Sequence, residues 1–133
     1  MKQASLVIIG DEILSGRTED KNLAHLAKWL GKLGISLSEV RVVLDDEDGI
    51  IDAVNSLREK YDYVFTTGGI GPTHDDITTE CIAKAFGVEA KVDDDALEKM
   101  ETYLNDKELT EPLLKMLRIP EGGELIYSPA TKA

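Results

Sequence analysis

Short apolar runs alternate with helix-period segments along this chain, and that alternation leaves few folds open. Ala4 to Ile9 is a continuous apolar run, read as a strand buried on both faces. Residues 20–33 place Leu23, Leu26, Ala27, Leu30 and Leu33 at helical spacing, with Gly34 as the C-terminal stop. A second strand falls within residues 35–44, on Val40, Val42 and Val43. Residues 45–60 read as a helix with an acidic first turn and an apolar stripe of Ile50, Ala53, Val54 and Leu57. Tyr63 to Thr66 is a third strand, expected to be as buried as the first.

A glycine loop follows, then a helix over about residues 76–86 closed by Gly87. Asp93 is placed to cap a helix carrying Leu97, Met100 and Leu104. Thr110 is placed to cap another, carrying Leu113 and Leu117 and ended by Pro120. Glu121-Gly122-Gly123 reads as a turn and Leu125 to Tyr127 as a short strand. Three strand–helix units in succession imply an α/β domain on a parallel sheet with right-handed crossovers. Such sheets bind ligands beyond the carboxyl ends of their strands. Three segments are expected to meet there: Gly10 to Arg17, Leu44 to Asp48 and Thr66 to Asp76.

At 133 residues the chain suggests one domain, and 42% hydrophobic residues suffice for an ordinary core. No apolar run approaches a membrane span or the core of a secretory signal. A lone cysteine, Cys81, permits no internal disulfide and suits a reducing, cytoplasmic setting; its own reading is a small core residue on a helix. The formal net charge of −11 argues against general affinity for nucleic acid or anionic membrane. It also means that a phosphate must be held by backbone N–H groups, a helix dipole or a metal rather than by many cations.

The strongest chemical signal is Thr66-Thr67-Gly68-Gly69-Ile70-Gly71-Pro72-Thr73-His74-Asp75-Asp76. It leaves a strand and enters a helix, and its glycines let the backbone approach a ligand closely. Its amides are candidates for holding phosphate. It is neither a Walker A loop nor the dinucleotide fingerprint, because the Gly-Lys-Ser/Thr ending and the glycine spacing are absent. Asp75 and Asp76 are candidates for a divalent cation or for acid–base work, with helix capping as the alternative. Asp45, Asp46 and Asp48 pose the same choice. Gly10-Asp11-Glu12-Ile13-Leu14-Ser15-Gly16 leaves the first strand and is a candidate second wall of the pocket. His25 reads as a helix-surface residue, His74 as a candidate phosphate contact, and the two form no zinc site. No serine has the context of a nucleophile elbow.

Residues 10–16, Asp20-Lys21-Asn22, and Thr66 to Asp76 with Thr78 together resemble the MoaB/Mog-type molybdopterin-binding domain. Gly69-Ile70-Gly71-Pro72-Thr73-His74-Asp75-Asp76 is more similar to its competence/damage-inducible protein A (CinA) branch, and Met116 to Gly122 and Ser128-Pro129 continue the likeness. The resemblance implies a three-layer α/β/α domain, with a mostly parallel, doubly wound (Rossmann-like) sheet and the ligand at the glycine loop. It implies that Asp45 and Asp76 serve catalysis with magnesium or another divalent metal, and that Gly68, Gly69 and Gly71 hold a pterin such as molybdopterin. In the CinA branch the domain is associated with cleaving pyrophosphate bonds, as in ADP-ribose, and a related domain in FAD synthases acts on FAD. It also implies a homo-oligomer, a dimer or trimer. The chain ends at Ala133, where such relatives continue through a Pro-Gly loop, a strand and a helix; residues 1–133 are therefore expected to be one domain lacking or not showing its C-terminal part, without the deamidase domain many carry.

The expected mechanism puts phosphate on the amides of Gly68 to Thr73, with Thr73 and His74 in contact. Asp45, Asp75 and Asp76 bind the metal, and Asp45 or Asp76 activates its water. Gly10 and Asp11 line the opposite wall, and Ser15 and Thr67 donate hydrogen bonds. Adenylyl transfer to molybdopterin and non-catalytic pterin or nucleotide binding are the alternatives.

Overall fold

The computed structural model describes residues 1–104 and 108–126. Three parallel strands form the main sheet: β1 (Gln3–Ile9), β2 (Ser36–Val43) and β3 (Tyr63–Thr67), in the order β2-β1-β3. The central position of β1 explains its sequence. Ala4 to Ile9 are all buried, because strands flank it on both sides and side chains alternate between two covered faces.

The strand order also sets the layers. A short helix α1 (Asp11–Leu14) and then α2 (Asn22–Lys32) connect β1 to β2. Helix α3 (Glu47–Lys60) then carries the chain back across β1 to β3. Right-handed crossovers running in opposite directions place α2 and α3 on opposite faces of the sheet. Val7 and Ile9 pack against Ile50, Ala53, Val54 and Leu57 of α3 and Cys81 of α4 (Thr78–Ala85). Leu6 and Ile8 alternate to the other face. The fold is thus the expected α/β type with a parallel sheet. Cys81 is a buried core residue whose thiol is pushed up to about 11 by burial.

Several local expectations are corrected. Strand β3 is only half-buried over Val64 to Thr67, and Tyr63 is exposed. Apolar sequence cannot reveal position in a sheet, and among the described residues β3 is an edge strand. In α2 the stripe is narrower than its spacing suggests: Leu30 is buried, while Leu23 and Leu33 at the ends of the helix are exposed. After α4 the chain forms β4 (Ala90–Val92), α5 (Asp94–Leu104), α6 (Glu111–Met116) and β5 (Arg118–Pro120). Strands β4 and β5 pair antiparallel in a separate ribbon, and Pro120 sits at the end of β5, where a missing donor is tolerated. The expected caps are present: Asp93 accepts from Ala96 N at 2.9 Å, and Thr110 accepts from Leu113 N at 3.4 Å. Leu125 and Ile126 are not in a strand, and Tyr127 and Ser128-Pro129 lie outside the described residues. Among the described residues no helix is long and apolar enough to cross a membrane.

Candidate functional site

Strand order locates the crevice. The loop after β1 leads to one face of the sheet and the loop after β3 to the other, so the neighbouring ends of β1 and β3 form a topological switch point. The acidic turn after β1, the acids after β2 and the glycine loop after β3 meet here, as the sequence predicts.

The acids after β2 separate into two roles. Asp46 is the N-cap of α3, accepting from Gly49 N at 3.0 Å. Asp48 is exposed in the first turn of that helix. Asp45 does neither. Its Oδ2 accepts from Asp11 N at 3.1 Å, while its own N donates to Asp11 Oδ1 at 2.9 Å. Its Oδ1 lies 3.5 Å from the point where a Cβ would stand on Gly69. Asp45 therefore joins all three strand-end segments. Its carboxyl is held above the ordinary aspartate range, chiefly by burial, against the Asp11 N–H and with the added charges of Asp11, Glu12 and Asp76.

The glycine loop is held by close contacts. A Cβ on Gly68 would sit 2.0 Å from Ile9 O, and one on Gly69 would sit 2.2 Å from Thr78 Oγ1; both glycines have positive φ. Only glycine lets β3 turn against the end of β1 here. Thr78, buried at the start of α4, donates from Oγ1 to Gly68 O at 2.8 Å and from N to Gly69 O at 3.1 Å. The Asp76 carboxylate folds back on the loop, accepting from Thr73 N at 3.0 Å and Thr73 Oγ1 at 2.7 Å. The Thr73 hydroxyl holds Asp76 below the ordinary aspartate range, helped by the Thr73 and Gly71 amides and the Lys115 charge.

Four expectations change as a result. Neither Asp75 nor Asp76 caps α4, which begins at Thr78 after Ile77. The Gly71 and Thr73 amides are directed at Asp76, so within the Gly68 to Thr73 stretch the amides without a partner among the described residues are those of Gly68, Gly69 and Ile70. Asp75 is exposed and pairs with the exposed His74, Nε2 to Oδ1 at 3.2 Å, rather than folding back on the loop as Asp76 does. The Ser15 hydroxyl donates to Glu12 O at 3.3 Å and accepts from Arg17 Nε at 3.1 Å, closing its own turn rather than facing the loop. Thr67, half-buried, ends β3 beside Ile8, and Gly10 is buried where β1 gives way to α1.

Among the described residues no three Asp, Glu, His or Cys side chains form a closed metal cage. The donors still suit a hard divalent cation. Magnesium takes one or two carboxylates and completes its shell with water and ligand phosphate. Asp45, whose charge is disfavoured first by burial and then by three neighbouring carboxylates, is a group that a cation would relieve.

Sequence reading gave no role to Thr78 or Lys115. Thr78 had a weak signal, a hydroxyl at the start of a helix after a glycine loop. Lys115 had none: its Nζ donates to Thr73 O across a separation of 42 residues.

Residues 5–129 match the family model described as "Probable molybdopterin binding domain". A solved CinA structure from Thermoplasma acidophilum is 38% identical, with a TM-score of 0.90 over 99% of this chain and 78% of that one. A Caenorhabditis briggsae protein named "Probable FAD synthase" is 43% identical over 103 residues, 77% of this chain and 20% of that protein. MoaB from Pyrococcus furiosus, described as a tungsten cofactor synthesizing protein, is 24% identical, with a TM-score of 0.59 over 80% of this chain and 64% of that one; this likeness shows the fold. The chain spans about half the length of the archaeal curated relatives it matches.

Proposed function

The chain belongs to the molybdopterin-binding domain family, and from that premise we propose that it binds a phosphorylated pterin or nucleotide at the β1/β3 crevice and cleaves a pyrophosphate bond with a divalent metal. The observation that carries the reading is Asp45. One carboxylate, fixed by the Asp11 amide, faces the glycine loop amid other acids. A bare anion would be repelled by such a place, whereas a cation with a phosphate attached is suited to it. The worm relative's name supports the nucleotide part of this reading, since FAD is a nucleotide that contains a pyrophosphate.

Asp45, with Asp11 or Asp76 beside it, would hold the metal. When bound, the metal would neutralise phosphate charge and acidify water. The chain's own residues bind and orient. The Gly69 and Ile70 amides are available to phosphate oxygens, and Thr78 keeps the loop in the shape that presents them. Asp45 Oδ1, on the loop side, is the oxygen that the Asp11 N–H leaves free to face a cation.

The test is a panel of ADP-ribose, FAD and related nucleotide diphosphates incubated with Mg²⁺, Mn²⁺, Co²⁺ or chelator, with AMP release followed by chromatography. Metal-dependent AMP release is expected. Adenylation of molybdopterin by ATP would replace this reading with adenylyl transfer. Tight binding without turnover would replace it with a carrier role.

A further inference from the structure

Lys115 lies far along the chain from the ligand loop, yet its ammonium donates to the Thr73 carbonyl. The segment that carries it is anchored independently of the loop. Arg118 Nη1 pairs with Glu80 of α4 at 3.2 Å, and Arg118 Nη2 donates to Ala90 O at 3.2 Å. Asp93 N donates to Leu117 O at 3.0 Å, and β5 is paired with β4. Thr110 caps the other end of α6. Lys115 is half-buried and so approaches the loop from a fixed platform.

Its target is the hub of the loop. Thr73 donates from both N and Oγ1 to Asp76, and its carbonyl accepts from Asp76 N at 3.1 Å as well as from Lys115. Fixing that peptide fixes the orientation of the stretch between Gly69 and Asp76. The ammonium also brings positive charge to the rim of a site lined by carboxylates, in a chain of net charge −11.

We propose that Lys115 is a positioning residue for the ligand loop: from its anchored helix it holds the Thr73 peptide so that the loop receives an anionic ligand in one preformed shape. The ligand part of this proposal rests on the reading given under Proposed function; the loop-ordering part does not.

The experiment compares the parent with Lys115→Met, which keeps the stem and removes the donor, and Lys115→Arg, which keeps charge and donors. Amide hydrogen exchange at Thr73 and its neighbours is measured without ligand, and ADP-ribose affinity, KM and kcat are measured with metal. Lys115→Met is expected to stay folded, to speed exchange at Thr73 and to weaken ADP-ribose affinity about tenfold, the scale of one charge-assisted hydrogen bond, with KM rising more than kcat falls. Lys115→Arg is expected to recover most of both losses. Parental exchange in Lys115→Met would overturn the proposal. If the parent does not bind ADP-ribose, the functional reading fails and Thr73 exchange alone decides the positioning role. Should Lys115→Met fail to fold, nitrogen-detected spectra of the parent's lysine ammonium groups decide: slow proton exchange at Lys115 supports the contact, and exchange as fast as at exposed lysines overturns it.

Discussion

Asp11 and Asp45 exchange hydrogen bonds: the backbone N–H of each donates to the carboxylate of the other, at 3.1 and 2.9 Å. This reciprocal pair ties the end of β1 to the end of β2 and holds two like charges together at the mouth of the crevice. Each charge gains an amide partner but suffers the other's field. For Asp45, burial and the neighbouring carboxylates outweigh the amide, so its pKa is raised. Ordering of this kind, at an electrostatic cost, is common at functional sites.

Asp45→Asn is therefore expected to keep the fold and to melt at or above the parental temperature at neutral pH. Asparagine retains an oxygen for the Asp11 amide and removes the disfavoured charge. The stability linked to a raised pKa is fully present below the unfolded pKa and is lost as pH rises through the folded one. At neutral pH the parent has lost it, and the variant's advantage is expected to vanish on acidification. Turnover is expected to fall by about 10²-fold or more if Asp45 holds the metal or moves a proton. Thermal melts across pH, alongside AMP release, check both halves; parental turnover would reduce Asp45 to a structural role.

Asp11→Asn separates charge from geometry. The amide oxygen of the substituted side chain still accepts from Asp45 N, so Asp45 stays in place while one neighbouring charge is gone. The Asp45 pKa is expected to move down toward the ordinary range, as followed by carboxyl carbon chemical shifts. An unchanged Asp45 titration would show that Asp11 contributes little of the field.

Asp76 is expected to titrate below Asp45 in the same spectra, because the Thr73 hydroxyl and two amides favour its charged form. The sign is opposite to that of Asp45: stability from Asp76 is present above its unfolded pKa and is lost as pH falls through the folded value. Asp76→Ala is expected to cost about 1–2 kcal/mol at neutral pH, as capping-type acceptors do, with little difference from the parent at low pH. A reversed titration order would mean that the clasp on Thr73 is not formed in solution.

The parts of the fold that the sequence announced are those fixed by local pattern. Strand β1 is apolar throughout because it is central, and the stripe Ile50, Ala53, Val54, Leu57 is buried as its spacing demands. The meeting of three loops at one sheet end follows from alternation and handedness alone. What was illegible depends on strand order or on distant partners. The modest burial of β3 depends on its edge position, which no property of Tyr63 to Thr67 encodes. Asp45, Asp46 and Asp48 all suit a helix start, and only the backbone path shows that Asp46 takes the cap. Pro120 reads as a helix terminator, whereas the preceding turn already ends α6 and the proline closes a strand pair.

The sharpest expectation concerns Gly69 and Thr78, and it corrects a simpler one. From sequence, Gly69→Val is expected to abolish ligand binding while the fold survives. The structure argues against that, because a Cβ on Gly69 would meet Thr78 Oγ1 at 2.2 Å and the residue has a φ of 68°. Even Gly69→Ala is expected to cost about 2–3 kcal/mol, combining a left-handed backbone with a steric conflict. Thr78→Ala removes the conflicting atom but also the bond to Gly68 O, at about 1–2 kcal/mol. The double variant is then expected to be less destabilised than the sum of the two by about 1 kcal/mol, since the conflict is counted once and cannot occur without the hydroxyl. Urea unfolding of the four proteins measures this coupling. Additivity within about 0.3 kcal/mol would mean that Gly69 and Thr78 are not packed as described. Coupling of the expected sign would establish that Thr78 sets the shape of the loop, leaving backbone strain at Gly69 as the residual cost in the double variant.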